Sequence, residues 1–206
     1  MSELLPMSEV VPHLLYRVFS FDKDNRGVFT RGGGNDIYGA EVTYGAELPD
    51  VSFAVDDVVL PPWLYVVRAR TVFSERAKAV IHAYLGAEDR IGFFRLPVEM
   101  PDGRLESVHL AYSTERVDVL SMYSTVSPHG VAQWWALELS KLNGRSFFIV
   151  PEARSNTVMR GDLLLALHEL GWPGYATELR VMNGKHLVSY EEWAEHPEWT
   201  DYQPPR

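Results

Sequence analysis

Three dipeptides, Asp102-Gly103, Asn143-Gly144 and Asn183-Gly184, each stand between β-prone runs, and they constrain the fold more than any other feature of the chain. Pairs of this kind supply the positive φ angles that tight hairpin turns need. They predict three hairpins: Phe94-Leu96-Val98 with Val108-Leu110-Tyr112, Trp135-Leu137-Leu139 with Phe147-Phe148-Ile149-Val150, and Leu179-Val181 with His186-Leu187-Val188. Alternation in the first two implies a mainly antiparallel sheet with at least one wet face.

Two segments carry helical periodicity. The first spans Ser74 to Leu85, with Ser74 as N-cap, Glu75 at the positive end of the dipole and Gly86 as the stop. Its apolar residues Phe73, Ala77, Val80, Ile81 and Tyr84 fall within an arc of roughly 100°. The second runs from Val158 or Asp162 to Leu170, with Met159, Leu163, Ala166, Leu167 and Leu170 at the same offsets, and ends at Gly171-Trp172-Pro173-Gly174. A strand-like run follows each helix, Ile91 to Val98 and Thr177 to Met182, which suggests a duplicated helix-turn-strand unit.

Toward the N-terminus, Leu14 to Phe21 has strand character, whereas Arg31 to Leu48 is Gly-rich and reads as loop. At the other end Ser189 and Glu192 fit a capping box ahead of Trp193, and Pro197 closes a short helix. The expected fold class is therefore α+β: a mainly antiparallel sheet built from hairpins, two principal amphipathic helices and a short C-terminal helix. No Pro/Ser/Gly-rich linker divides the 206 residues, so one domain over 1–206 is expected, with a less regular N-terminal third (1–60).

Composition narrows the chemistry. With 46% hydrophobic and 12% aromatic residues, the chain hides enough surface to fold without a disulfide or metal staple. The absence of cysteine excludes thiol nucleophiles and Cys-based zinc sites. The N-terminus, Met1-Ser2-Glu3-Leu4-Leu5-Pro6, has an acid where a signal peptide needs a basic region, and no run approaches the ~18 apolar residues of a membrane helix. A cytoplasmic location is the resulting expectation. The formal charge of −9 repels phosphate backbones, which argues against nucleic acid and anionic membranes and favours a basic partner, or solubility alone.

No catalytic, metal or cofactor motif emerges. Asp22-Lys23-Asp24-Asn25-Arg26-Gly27 begins like a calcium loop, but Arg26 and Gly33 stand where ligands are needed, so a polar hairpin turn is expected. Gly32-Gly33-Gly34 lacks the Lys-Ser/Thr pair of a phosphate cradle and reads as flexible loop. The histidines 13, 82, 109, 129, 168, 186 and 196 contain no i, i+4 pair, and His82 and His168 lie opposite the apolar stripes of their helices. A Gly-x-Ser-x-Gly elbow is missing, and the paired acids Asp56-Asp57 and Glu191-Glu192 face water on the simplest reading. The candidate partner-binding residues are Glu191, Glu192, Trp193, Glu195, Glu198, Trp199 and Asp201, an acid-and-tryptophan stretch free of Lys and Arg. It suits a cationic partner, or is a solvated helix whose tryptophans dock on the core.

The run Val72-Phe73-Ser74-Glu75-Arg76-Ala77-Lys78, the strand Ser146-Phe147-Phe148-Ile149-Val150, and Arg160-Gly161-Asp162-Leu163-Leu164-Leu165-Ala166-Leu167 with Glu169-Leu170-Gly171 resemble a bacterial immunity-protein family of polymorphic-toxin systems, formerly a domain of unknown function. The resemblance covers roughly residues 60 to 182. Arg160-Gly161-Asp162 departs from it, since the family's second helix usually opens like Ser74-Glu75. It implies a cytosolic protein that binds and occludes a cognate toxin, and it carries over no site residues. The alternatives are an enzyme or ligand-binding protein with a dispersed site near the Gly-rich loop and Trp134-Trp135, and a structural subunit of a homo-oligomer.

Overall fold

The computed structural model describes residues 6–19, 29–31, 45, 51–56, 59–60, 63–66, 70–115, 117–126, 132–134, 136–150, 157–171, 175–188 and 192. Along the chain run β1 (Leu15–Phe19), β2 (Phe29–Arg31), β3 (Ser52–Ala54), β4 (Trp63–Val66), β5 (Arg70–Phe73) and helix α1 (Glu75–Tyr84). Next come β6 (Ile91–Glu99), β7 (Leu105–Ser113), β8 (Thr125–Val126), β9 (Ala132–Trp134), β10 (Leu137–Glu138) and β11 (Phe147–Ile149). The described chain ends through β12 (Thr157–Arg160), helix α2 (Gly161–Glu169), β13 (Tyr175–Glu178), β14 (Val181–Asn183) and β15 (His186–Leu187). It is a mixed α+β protein, and antiparallel pairs predominate. Parallel pairing occurs between β3 and β6 and between β10 and β14.

Helix α1 follows from local chemistry. Ser74 Oγ accepts the Ala77 N–H at 3.2 Å, Glu75 occupies the first turn, and Ala77 and Ile81 are buried while His82 is exposed. The stop differs from the expectation. Leu85 leaves the helix in an extended conformation (φ −71°, ψ 125°), and the Gly86 N–H is taken by Asp89 Oδ2 at 2.7 Å, so no left-handed glycine cap is used.

Helix α2 begins later than the earliest expected start. Val158 and Met159 belong to β12, which is paired on both sides, to β1 and to β11, and fully buried. A strand covered on both faces is as apolar as a helix stripe, and this is why its residues mimicked helical spacing. No side chain caps α2. Instead Gly161 N–H donates to Leu14 O and Asp162 N–H to Pro12 O, each at 2.8 Å, so the N-terminal segment supplies the cap. The end matches expectation, with Gly171 at φ +94° donating to His168 O.

Of the three hairpins, the first brings β6 and β7 together antiparallel, with Phe94 opposite Leu110 and Leu96 opposite Val108. Their loop is Pro101-Asp102-Gly103, closed by Gly103 N–H to Met100 O and Met100 N–H to Arg104 O, and Gly103 at φ +81° takes the left-handed position of a bulged three-residue turn. The second hairpin does not form. Asn143 (φ +50°) and Gly144 (φ +69°) do make a turn, but β10 on one side pairs with β14 and β11 on the other pairs with β12. The third forms with its loop shifted by one residue, since Asn183 pairs with His186 and leaves Gly184-Lys185 as the loop. The strand expected over Thr177 to Met182 is divided, with β13 in one sheet and β14 in another.

Two sheets share a pattern that bears on the expected duplication. In the order β2-β3-β6-β7-β5-β4, β5 and β6 flank β7, and α1 connects them. In the order β11-β12-β1-β13, β12 and β13 flank β1, and α2 connects them. Each unit is a split β-α-β with an antiparallel strand in the middle, supplied by the following strand in one case and by the N-terminal strand in the other.

A large apolar cluster joins α1, α2 and both sheets. Phe73 of β5 meets Phe147 of β11 edge-on, with centroids 6.2 Å apart, and Phe93 of β6 at 6.5 Å. A second cluster, including Phe53, Val72, Leu96, Val98, Val108 and Leu110, covers the opposite face of the six-stranded sheet. The expectation of a wet face therefore holds only for part of the sheet: Arg95 and Pro97 are exposed on β6, while residues 108–111 of β7 are all buried.

Some expectations lie outside the described residues: the Asp22–Gly27 turn, the Gly32–Gly34 loop, Trp135, and the C-terminal helix apart from Glu192. Arg31, expected to open a loop, closes β2 instead. Among the described residues, no helix is long and apolar enough to cross a membrane.

Candidate functional site

Of the expected contact residues, Glu191, Trp193, Glu195, Glu198, Trp199 and Asp201 lie outside the described residues. Glu192 is half-buried, and its Oε2 lies 2.7 Å from His186 Nε2 on β15. This contact ties the start of the acidic stretch to the edge of the β10-β14-β15 sheet.

A second surface feature lies at the other edge of that sheet. Leu120 bridges to Leu137 of β10, and the turn beyond it presents Met122 (82% exposed) and Tyr123 (38% exposed). The turn is held closely. Ser124 N–H donates to Ser121 O at 2.9 Å, Tyr123 N–H donates to Ser121 Oγ, and Ser124 Oγ exchanges bonds with the Ala136 carbonyl and N–H. Asp118, close by in sequence and exposed, pairs with Lys141 at 3.0 Å. Because the turn's backbone is already held, a contact made by Met122 and Tyr123 costs side-chain ordering but little backbone ordering. Sequence reading missed this pair because Ser-Met-Tyr-Ser carries no periodic signal, and only its exposure separates it from core.

Two polar clusters sit deeper. Asp89, 1% exposed, accepts Ser146 N–H (2.7 Å) and Phe147 N–H (2.9 Å) at Oδ1 and Gly86 N–H (2.7 Å) at Oδ2. The Ser146 hydroxyl lies between Asp89 Oδ2 at 2.6 Å and the Tyr84 carbonyl at 2.7 Å and donates its single proton to them. Asp89 thereby clamps the loop after α1 to the start of β11. Beside it Arg145 donates to the Glu88 carbonyl, and Arg145 and Arg90 each approach Glu115 at 3.6 Å.

The other cluster links α1 to β7. His109, 2% exposed, places Nε2 2.5 Å from Oε2 of Glu75, whose side chain is 73% exposed. A carboxylate only accepts, so Nε2 carries the proton and donates. Nδ1 is buried and finds no hydrogen-bond partner among the described residues. Burial pushes the His109 ring's pKa down, against the opposing hydrogen bond from Glu75, and the Lys78 and Arg95 charges add to the depression. The Glu75 carboxyl is held below the usual carboxylate range, first by the His109 bond and then by the His109 and Lys78 charges. In sequence His109 was one of seven histidines; only its place opposite Phe73 and Arg95 in the sheet reveals it.

His82 and His168 are exposed, as expected from their helix faces. Among the described residues no group of His, Asp or Glu is arranged to hold a metal ion. Comparison of the chain with protein-family models and with curated proteins finds no match.

Proposed function

We propose that the protein is an immunity-type inhibitor that binds a cognate, basic toxin and occludes it. The observation that carries this reading is electrostatic: the chain has 28 acidic against 19 basic residues, and its buried Asp89 carboxylate is engaged in clamping the loop after α1 to the start of β11. A negative field accelerates encounter with a cationic partner and weakens with salt. Two parts of the chain suit the contact: the acid-and-tryptophan sequence from Glu191 to Asp201, of which Glu192 meets His186, and the fixed turn bearing Met122 and Tyr123. The segments resembling the immunity family also support the reading: Val72–Lys78 closes β5 and opens α1, Ser146–Val150 contains β11, and Arg160–Leu167 opens α2.

The test is co-expression with the protein encoded beside it. Restored growth, together with an equimolar complex whose association rate falls steeply with ionic strength, supports the proposal. A harmless neighbour, or a toxin that kills despite saturating inhibitor, refutes it.

A further inference from the structure

We propose that His109 and Glu75 form an acid-sensitive latch, which holds the first turn of α1 on the six-stranded sheet at neutral pH and releases it as the solution acidifies. The ring projects from β7 and is enclosed by α1, β5 and β6. From α1 it faces Glu75 and Lys78, from β6 Arg95, and from β5 the aromatic Phe73. Among the described residues its hydrogen bond runs outward to the exposed carboxylate of Glu75, and its inner nitrogen meets no partner.

In the neutral ring that inner nitrogen carries only a lone pair, and leaving it unpaired costs little beyond one lost bond. Protonation puts a charged N–H in the same dry position, facing two cations and a single carboxylate. The imidazolium then gains more from water than from the closed contact. The sign follows from the depressed affinity of the closed form for this proton. The open form binds the proton more readily, so opening is favoured progressively as pH falls below the ring's ordinary value of about 6.5. The opening constant then rises up to about tenfold per pH unit until the closed form titrates too. Glu75 stays ionised across this window because its own affinity is depressed below the carboxylate range, so the imidazole is the group that switches.

Hydrogen-exchange protection factors at the Ala77 and Lys78 amides, which Ser74 holds through Oγ and its carbonyl, read the latch directly. They are to be measured from about pH 7.5 to about pH 5, alongside the ring's own NMR titration. The expected result is a His109 midpoint below about 6.5, with protection at both amides falling between about pH 6.5 and that midpoint and levelling off below it, while the Phe94 and Leu110 amides hold theirs. His109→Gln keeps a donor for Glu75 and cannot titrate, so its protection profile is flat. Glu75→Gln keeps an acceptor but removes the charge, so the ring's midpoint moves lower still. Should His109→Gln fail to fold, the wild-type titration and the Glu75→Gln midpoint decide the matter. A wild-type midpoint at or above the ordinary value, or protection that stays flat between about pH 6.5 and the ring's lower midpoint, overturns the latch.

Discussion

Replacing Asp89 by alanine removes the acceptor for the N–H groups of Ser146 and Phe147, both buried, and of Gly86, which is half-buried. Ser146 Oγ loses less, because its proton still finds the Tyr84 carbonyl at 2.7 Å, and water reaches the Gly86 amide more easily than the other two. Each buried donor left unpaired costs about 1–3 kcal/mol, so the two fully buried amides set the expected loss at about 2–6 kcal/mol. That is a large part of the ~5–15 kcal/mol of net stability typical of a domain. Asp89→Asn separates this account from a general packing defect. Its amide oxygen can remain at the Oδ1 position and keep both buried N–H groups, while its NH₂ replaces Oδ2 and opposes only the Gly86 donor, so the expected loss is about 1–2 kcal/mol. Urea unfolding with a common m-value measures both variants. Equal losses for the two, or an alanine variant within about 0.5 kcal/mol of wild type, would refute the reasoning.

Three other outcomes are expected. Gly161→Ala destabilises despite alanine's better helix propensity, because the new methyl runs into the Val11 carbonyl oxygen, which is backbone and cannot rotate away; a loss of about 1–3 kcal/mol by thermal unfolding is expected, and a stabilised variant contradicts the geometry. Phe147→Ala, at a fully buried position meeting Phe73 edge-on, costs about 3–5 kcal/mol in the same urea assay, and a loss under about 1 kcal/mol would mean the two sheets are not joined there. The double variant Met122→Ala, Tyr123→Ala keeps its stability within about 0.5 kcal/mol, because both side chains stand outside the core, yet under the proposed function it loses affinity for the proposed toxin partner by about tenfold or more in calorimetry; full affinity would remove this turn from the proposed contact.

The residues that were legible in advance share one property: their physics is local. Ser74 caps α1 because a hydroxyl reaches an amide three residues on, and Ala77 and Ile81 are buried together because helical geometry puts residues four apart on one face. Pro101-Asp102-Gly103 turns the β6-β7 hairpin for the same reason. In each case the partner lies within a few residues, so the chain specifies the contact before it folds.

What tertiary structure decided is which strands meet. Backbone N–H and C=O groups are the same in every strand, so Asn143-Gly144 can write a turn without choosing the ladders on either side; β10 and β11 went to different partners because both could be buried there. Burial on both faces likewise erased the alternation that would have marked Thr157–Arg160 as a strand. His109 gained its character the same way, since an exposed glutamate 34 positions earlier and a buried Nδ1 with no partner among the described residues come together only when α1 settles on β7. The chain alone settled the Ser74 cap, the buried face of α1 and the Asp102-Gly103 turn, whereas contacts between distant segments, the α2 cap among them, follow from the free energy of enclosing apolar surface, which depends on the whole assembled core.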